Sequence, residues 1–264
     1  METEKKITRV GGNSPAEEPV RSIFVANPES KKRATKHRVF AGILWLLAIG
    51  AQLFAITLLF RPPIDMTLII ILIAVDLALA IIGSILWKSS NRYDPPTKKQ
   101  KFKFFMKSQL GLVVAVIAFL PLIIVILTNK NLSGKQKGIL GGIAGAALVI
   151  AGLVGVDFNP PSIEEYTEQT ERVEWLNEGR NFVYWTKSGT VYHIYSDCSY
   201  INTNKTSEIF EGTVAQAREL KNITELCSRC ESRAMQERGL TEEDYHNAQQ
   251  GIKELIDPNT QGEQ

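Results

Sequence analysis

Long apolar runs and short polar breaks alternate along the chain up to residue 156, after which the pattern changes to mixed, shorter segments. Val39 to Phe60 is almost wholly apolar. As a helix rising about 1.5 Å per residue it spans roughly 33 Å, enough to cross a bilayer. Arg61-Pro62-Pro63 ends it, because proline cannot continue a helix and restricts the residue before it. Further runs follow at Met66 to Trp87, Gln109 to Leu127 and Ile139 to Val156. Four such runs, with polar residues held mostly outside them, are rare in soluble folds and argue against a soluble helical protein. Ahead of them, Met1 to Arg38 is polar, with a Gly11-Gly12-Asn13-Ser14-Pro15 breaker cluster, and is predicted to be disordered.

Beyond Asp157, Ser162-Ile-Glu-Glu165 has the form of a capping box opening an acidic helix to about Leu176. Asn181 to Thr186 and Thr190 to Tyr195 are rich in β-branched and aromatic residues around a Lys187-Ser188-Gly189 turn, which predicts a β-hairpin. Helical patterns follow at Thr213 to Leu220, Glu231 to Arg238 and Thr241 to about Leu255, then a frayed tail. The predicted fold class is an α-helical membrane protein with four transmembrane helices plus a small α+β zinc-binding domain. Its divisions are a disordered segment over 1–38, a transmembrane domain over 39–156, a linker helix over 157–180, a metal-binding module over 181–235 and a terminal helix and tail over 236–264.

Charge orients this arrangement. Residues 1–156 hold 20 basic and 8 acidic residues, whereas 157–264 hold 10 basic and 20 acidic, so a net charge of +2 conceals two unlike halves. Lys31, Lys32, Arg33, Lys36 and Arg38 precede the first helix, and seven more basic residues fill the second loop from Lys88 to Lys107. The positive-inside rule then predicts a multi-pass protein of the cell membrane with both termini in the cytoplasm. The lysines and phenylalanines of the second loop suit anionic lipid headgroups. On the fourth helix, Gly138/Gly142 and Gly141/Gly145 are small-xxx-small pairs, which serve packing within the chain or a homo-oligomer equally well. Asp76 lies mid-way along the second helix, with Gln52 at similar depth on the first. An interhelical hydrogen bond accounts for this carboxylate more simply than an ion or proton path.

All three cysteines fall between His193 and Cys230. An odd count leaves a thiol over from any disulfide framework and suits a reducing compartment. Cys198, the Cys227-Ser-Arg-Cys230 pair and His193 together form a Cys3His set, which fits Zn2+ in its structural, tetrahedral mode. The domain around them is small enough for burial alone to be marginal, and a structural metal supplies folding free energy directly. Four candidate ligands leave no open position for a water, so no enzyme activity is expected. A redox role for Cys227 and Cys230 lacks a thioredoxin-like setting and leaves Cys198 unexplained.

The order Trp185-Thr-Lys-Ser-Gly189, Tyr192-His193, Cys198-Ser-Tyr200, an alanine-containing helix at Thr213–Leu220, and Leu226-Cys-Ser-Arg-Cys230 resembles the Ada-type metal-binding module over about residues 182–232. That module occurs in the Ada DNA alkylation-repair protein and as a zinc appendage on other bacterial proteins. In Ada all four ligands are cysteines and the first accepts methyl groups from DNA. His193 stands at that place, with one extra residue before Cys198, so methyl transfer does not carry over. The appendage form, with Tyr-His before the first cysteine, is the closer one, and the resemblance implies zinc binding.

Between Lys187 and Arg233 six basic residues are matched by six acidic ones, and three thiolates around zinc add negative charge. Phosphate binding needs a positive surface, so nucleic acid ranks below a protein partner. The expected function is therefore a multi-pass membrane protein that presents a zinc-clasped, non-catalytic module to a partner. Two rivals are a small transporter or metal-responsive channel using Asp76, and a membrane-tethered Cys-x-x-Cys redox protein.

Overall fold

A computed structural model describes residues 6–10 and 24–256, with side chains as far as residue 250. The expected unstructured stretch at 11–23 and the tail at 257–264 lie outside the described residues. The chain divides into two compact units, Phe24–Glu165 and a second made of Met1–Ile23 with Tyr166–Gln264.

The first unit contains four helices long and apolar enough to cross a membrane: α1 (Pro28–Leu59), α2 (Met66–Tyr93), α4 (Leu110–Thr128) and α5 (Gly134–Gly155), with the short α3 (Lys101–Ser108) before α4. The helix starting at Pro28 corrects the expectation of disorder as far as Arg38. Asn27 caps it by accepting from the Ser30 N–H, and proline follows in the first turn, where its missing donor costs nothing. That signal lies inside a polar stretch and outweighs its low apolar content. The core of this unit runs through Ala55, Leu59, Ile69, Ile73, Phe119, Leu122, Ile126, Leu140 and Ala144.

Close packing here depends on two glycine contacts. A Cβ on Gly155 would fall 2.6 Å from the Gly111 carbonyl carbon, so α4 and α5 approach backbone to backbone at that point. A Cβ on Gly83 would meet the Trp45 ring at 2.4 Å, so Trp45 lies against bare backbone of α2. Gly138, Gly142 and Gly145 have nothing within 4 Å of an added Cβ, and Gly141 meets the side chains of Leu127 and Ile126. The helix ends are tied by polar groups. Asn129 donates to the Leu59 carbonyl at 2.7 Å, Gln109 exchanges two hydrogen bonds with the Asp157 backbone, and Arg38 donates to Asp94 at 2.8 Å. Gln52 and Asp76 are buried. Among the described residues neither Asp76 carboxylate oxygen has a hydrogen-bond partner, so the interhelical bond expected for it does not form.

Helix α6 (Ile163–Leu176) begins where the capping pattern predicts, with the Glu165 N–H donating to the Ser162 hydroxyl at 3.1 Å. From Tyr166 onward it belongs to the second unit. It is no mere linker, since Tyr166, Val173 and Leu176 are buried in that unit's core. The other elements are β1 (Lys6–Arg9), β2 (Val183–Thr186), β3 (Val191–Tyr192), β4 (Glu208–Gly212), α7 (Val214–Lys221), β5 (Glu225–Leu226), α8 (Ser228–Arg238) and α9 (Glu242–Ile256). A three-stranded sheet has the order β1-β4-β2, and β3 pairs with β5 in parallel. The expected hairpin shrinks to one antiparallel bridge, Tyr184 with His193. β2 spends the rest of its length on β4, Trp185 facing Phe210 across the ladder.

Strand β1 is a second correction to the disordered segment. It pairs in parallel with β4, Lys6 opposite Glu208 and Arg9 opposite Glu211. Strand addition needs backbone groups rather than an apolar core, so composition did not reveal it. Helix α9 is likewise integral. Arg172 of α6 bonds Glu231 of α8 at 2.8 Å and Glu242 of α9 at 2.5 Å, with its guanidinium 4.2 Å from the Tyr245 ring centre. Arg218 of α7 lies over Tyr166 at 4.0 Å.

Candidate metal centre

Four local structures converge on one point. The Tyr184–His193 bridge, with reciprocal 2.7 Å hydrogen bonds, fixes the backbone that carries the imidazole. Cys198 sits in a tight turn whose carbonyl accepts from Ile201 and Asn202 at 2.9 and 2.7 Å. Cys227 follows β5 and is the N-cap residue of α8, its N–H donating to the Tyr192 carbonyl at 2.9 Å. Cys230 is then three residues on, in the first turn of α8, so the helix start turns both sulfurs the same way. The Cys-x-x-Cys spacing and the helix that begins inside it are one device.

All four side chains are buried, and their ligand atoms lie within 4.8 Å of one another. The His193 Nδ1 is 3.6 Å from the Cys230 sulfur. A tetrahedral ion with sulfur at about 2.3 Å and nitrogen at about 2.0–2.1 Å places neighbouring ligand atoms roughly 3.5–3.8 Å apart. The cluster is thus of a size to hold a metal ion. Every residue predicted as a ligand is in it, and all three thiols are free of disulfides.

Electrostatics suit the cluster to a cation. Burial pushes the His193 imidazole down to about 4, so it stays neutral with a lone pair to donate. Burial pushes the Cys230 thiol up, opposed by the Tyr195 backbone N–H that donates to its sulfur. Clustered thiolates without a counter-charge would be costly here, and a bound divalent ion reverses that balance. The start of α8 contributes partial positive charge beside Cys227 and Cys230.

Around the ligands lies a set of residues that the pattern of the sequence left unread. Tyr195, Asp197, Ser199, Arg229 and Arg233 line a hollow beside Cys198 and Cys230. Arg233 bonds Asp197 and Glu237 at 2.9 and 2.8 Å and lies 4.1 Å from the Tyr195 ring centre. The one hint in the sequence was the four-residue spacing of Arg233 and Glu237 on a helix. Asp76 belongs to the other unit, and His246 sits on α9 beside Tyr245, outside the cluster.

Searches of family models, curated proteins and solved structures returned no match to this chain.

Proposed function

We propose that the chain is a multi-pass membrane protein whose second unit is clasped by structural zinc and serves in the cytoplasm as a binding module for a partner protein. One observation carries this reading: four buried ligand atoms, three sulfurs and a nitrogen, within 4.8 Å of one another. A sulfur-rich tetrahedral set is the preference of zinc among the common divalent ions. His193, Cys198, Cys227 and Cys230 would hold it. Zinc would supply folding free energy by joining the bridge, the turn and the start of α8. With four protein ligands the shell is closed, which argues against catalysis.

The order of these residues resembles the zinc-appendage form of the Ada-type module, and the four clustered ligand atoms support that reading. Placement in the cell membrane rests on α1, α2, α4 and α5 and on the basic loops around them. Four crossings would return the chain to its starting side, and β1 pairing with β4 supports that reading. Helix α3, with Lys101, Lys103 and Lys107 beside exposed Phe102 and Phe105, suits anionic lipid headgroups. Gly138, Gly142 and Gly145 are open to a second copy, whereas Gly141 already meets Leu127.

Zinc analysis of the full chain, purified in detergent without chelator, tests the reading. One zinc ion per chain is expected, lost in Cys227→Ser. Metal-free protein with a Cys227–Cys230 disulfide would instead favour the redox alternative. A second reading, a transporter or metal-responsive channel, draws on the buried, unpartnered carboxylate of Asp76. Ion flux into proteoliposomes that disappears in Asp76→Asn would favour it.

A further inference from the structure

Strand β4 has two neighbours of different origin. β2 lies close by in sequence, but β1 precedes all four apolar helices, and its side-chain bonds to β4 span 200 positions or more. Without β1, β4 would be an edge with a row of open backbone N–H and C=O groups, a ready template for another strand.

The contacts at this edge go beyond the backbone ladder. Thr8 donates its hydroxyl to Glu208 at 2.5 Å. Arg9 brings two N–H groups, at 3.0 and 2.7 Å, to one oxygen of Glu211. The Val10 N–H donates to the Glu211 carbonyl at 2.8 Å, and its side chain packs on the cluster of Val183, Trp185, Val214 and Ile223. Glu211 is only 8% exposed, and a carboxylate so placed is costly unless a cation meets it. Ile7, by contrast, is half exposed and adds little. A backbone ladder, one charge pair and one apolar anchor are the elements of peptide recognition by strand addition.

We propose that this side of β4 is a peptide-docking edge. It takes an extended segment of a partner protein with the order hydroxyl, arginine, aliphatic, and the chain's own Thr8-Arg9-Val10 occupies it as a tethered competitor. This rests on reading the second unit as a partner-binding module, and it names the surface and the ligand chemistry. The tether matters because a linked segment competes within the molecule, at an effective concentration set by its linker. A partner must out-compete the segment or meet a chain whose segment has been drawn away.

The test titrates a fluorescently labelled peptide of residues 1–12 into the full chain in detergent and into a variant lacking those residues, reading anisotropy, with zinc measured on the same samples. The shortened chain is expected to bind at least about tenfold more tightly than the full chain, since competition by the built-in segment is removed. Arg9→Glu in the peptide is expected to abolish binding. No binding to a zinc-loaded shortened chain overturns the proposal and leaves the metal clasp standing. Binding to a metal-free chain upholds the proposal while sinking the clasp. If the deletion prevents folding, the full chain carrying Arg9→Glu replaces it, because Glu211 then repels the built-in segment. That variant is expected to take up the unaltered peptide where the native chain does not, and equal uptake by both overturns the proposal. Self-association that vanishes on shortening would give the edge to a second copy and also overturn it.

Discussion

The Nδ1 of His193 stands 3.6 Å from the sulfur of Cys230, so the end of a two-stranded bridge touches the first turn of a helix through two potential ligands. Neither group gains much from the other while both are neutral. A shared cation turns the contact into a cross-link between strand and helix.

His193→Ala should therefore weaken zinc binding by more than about tenfold, the lower bound set by losses that even supporting residues cause. His193→Cys should restore it, because a fourth thiolate completes the same tetrahedral shell. Competition with a chromogenic chelator measures both. Equal affinity in the native and alanine proteins would remove His193 from the shell.

Acid should loosen α9. Glu242 is held below its ordinary range chiefly by its hydrogen bond from Arg172, and Asp244 by hydrogen bonds from Thr241. Carboxylates with depressed folded values stabilise above their ordinary range, and that contribution is lost as pH falls through the depressed values. Trp175 and Tyr245, 5.1 Å apart, report the change by fluorescence between roughly pH 5 and 3. Glu242→Gln should flatten the transition at its upper end, and an unaltered curve would exclude this pair as its source.

Gly155→Ala should cost about 1–3 kcal/mol, because the new methyl meets backbone of α4 rather than a movable side chain. Gly142→Ala has open space around it and should be neutral or stabilising by about 0.5–1 kcal/mol. Melting temperatures in one detergent compare them. If Gly142→Ala alone disrupts self-association, the open glycines belong to an interface between copies.

Asp76→Asn should leave the melting temperature unchanged or higher. The native carboxylate has no hydrogen-bond partner among the described residues, and a charge at mid-membrane costs about 2.5–3.5 kcal/mol on insertion scales. A marked loss of stability would mean that the carboxylate binds an ion or water that holds α2 in place.

The four apolar helices and the ligand set were legible because each rests on a local rule: an apolar run matched to bilayer thickness, and thiols at fixed spacing beside a helix start. What escaped was non-local. Glu208–Gly212 reads as an unremarkable polar-apolar alternation, and only its two partners make it the central strand of a sheet. Arg172 and Arg218 read as surface charges on helices, yet each lies over a tyrosine from another helix. Asn27-Pro28 is a local helix-start signal, but the stretch that follows it is charged and lacks the apolar spacing that marks a helix.

Synthesis runs from the N-terminus, so Lys6–Arg9 leaves the ribosome before any of the four apolar helices and β4 only after all of them. On the multi-pass topology proposed above, the sheet that joins them closes only after every crossing has been threaded and the polypeptide has returned to its original side. A chain that missed one insertion would keep β1 and β4 on opposite faces of the bilayer, with an unpaired edge marking the error. On that proposed topology the β1–β4 ladder doubles as a record of correct membrane assembly.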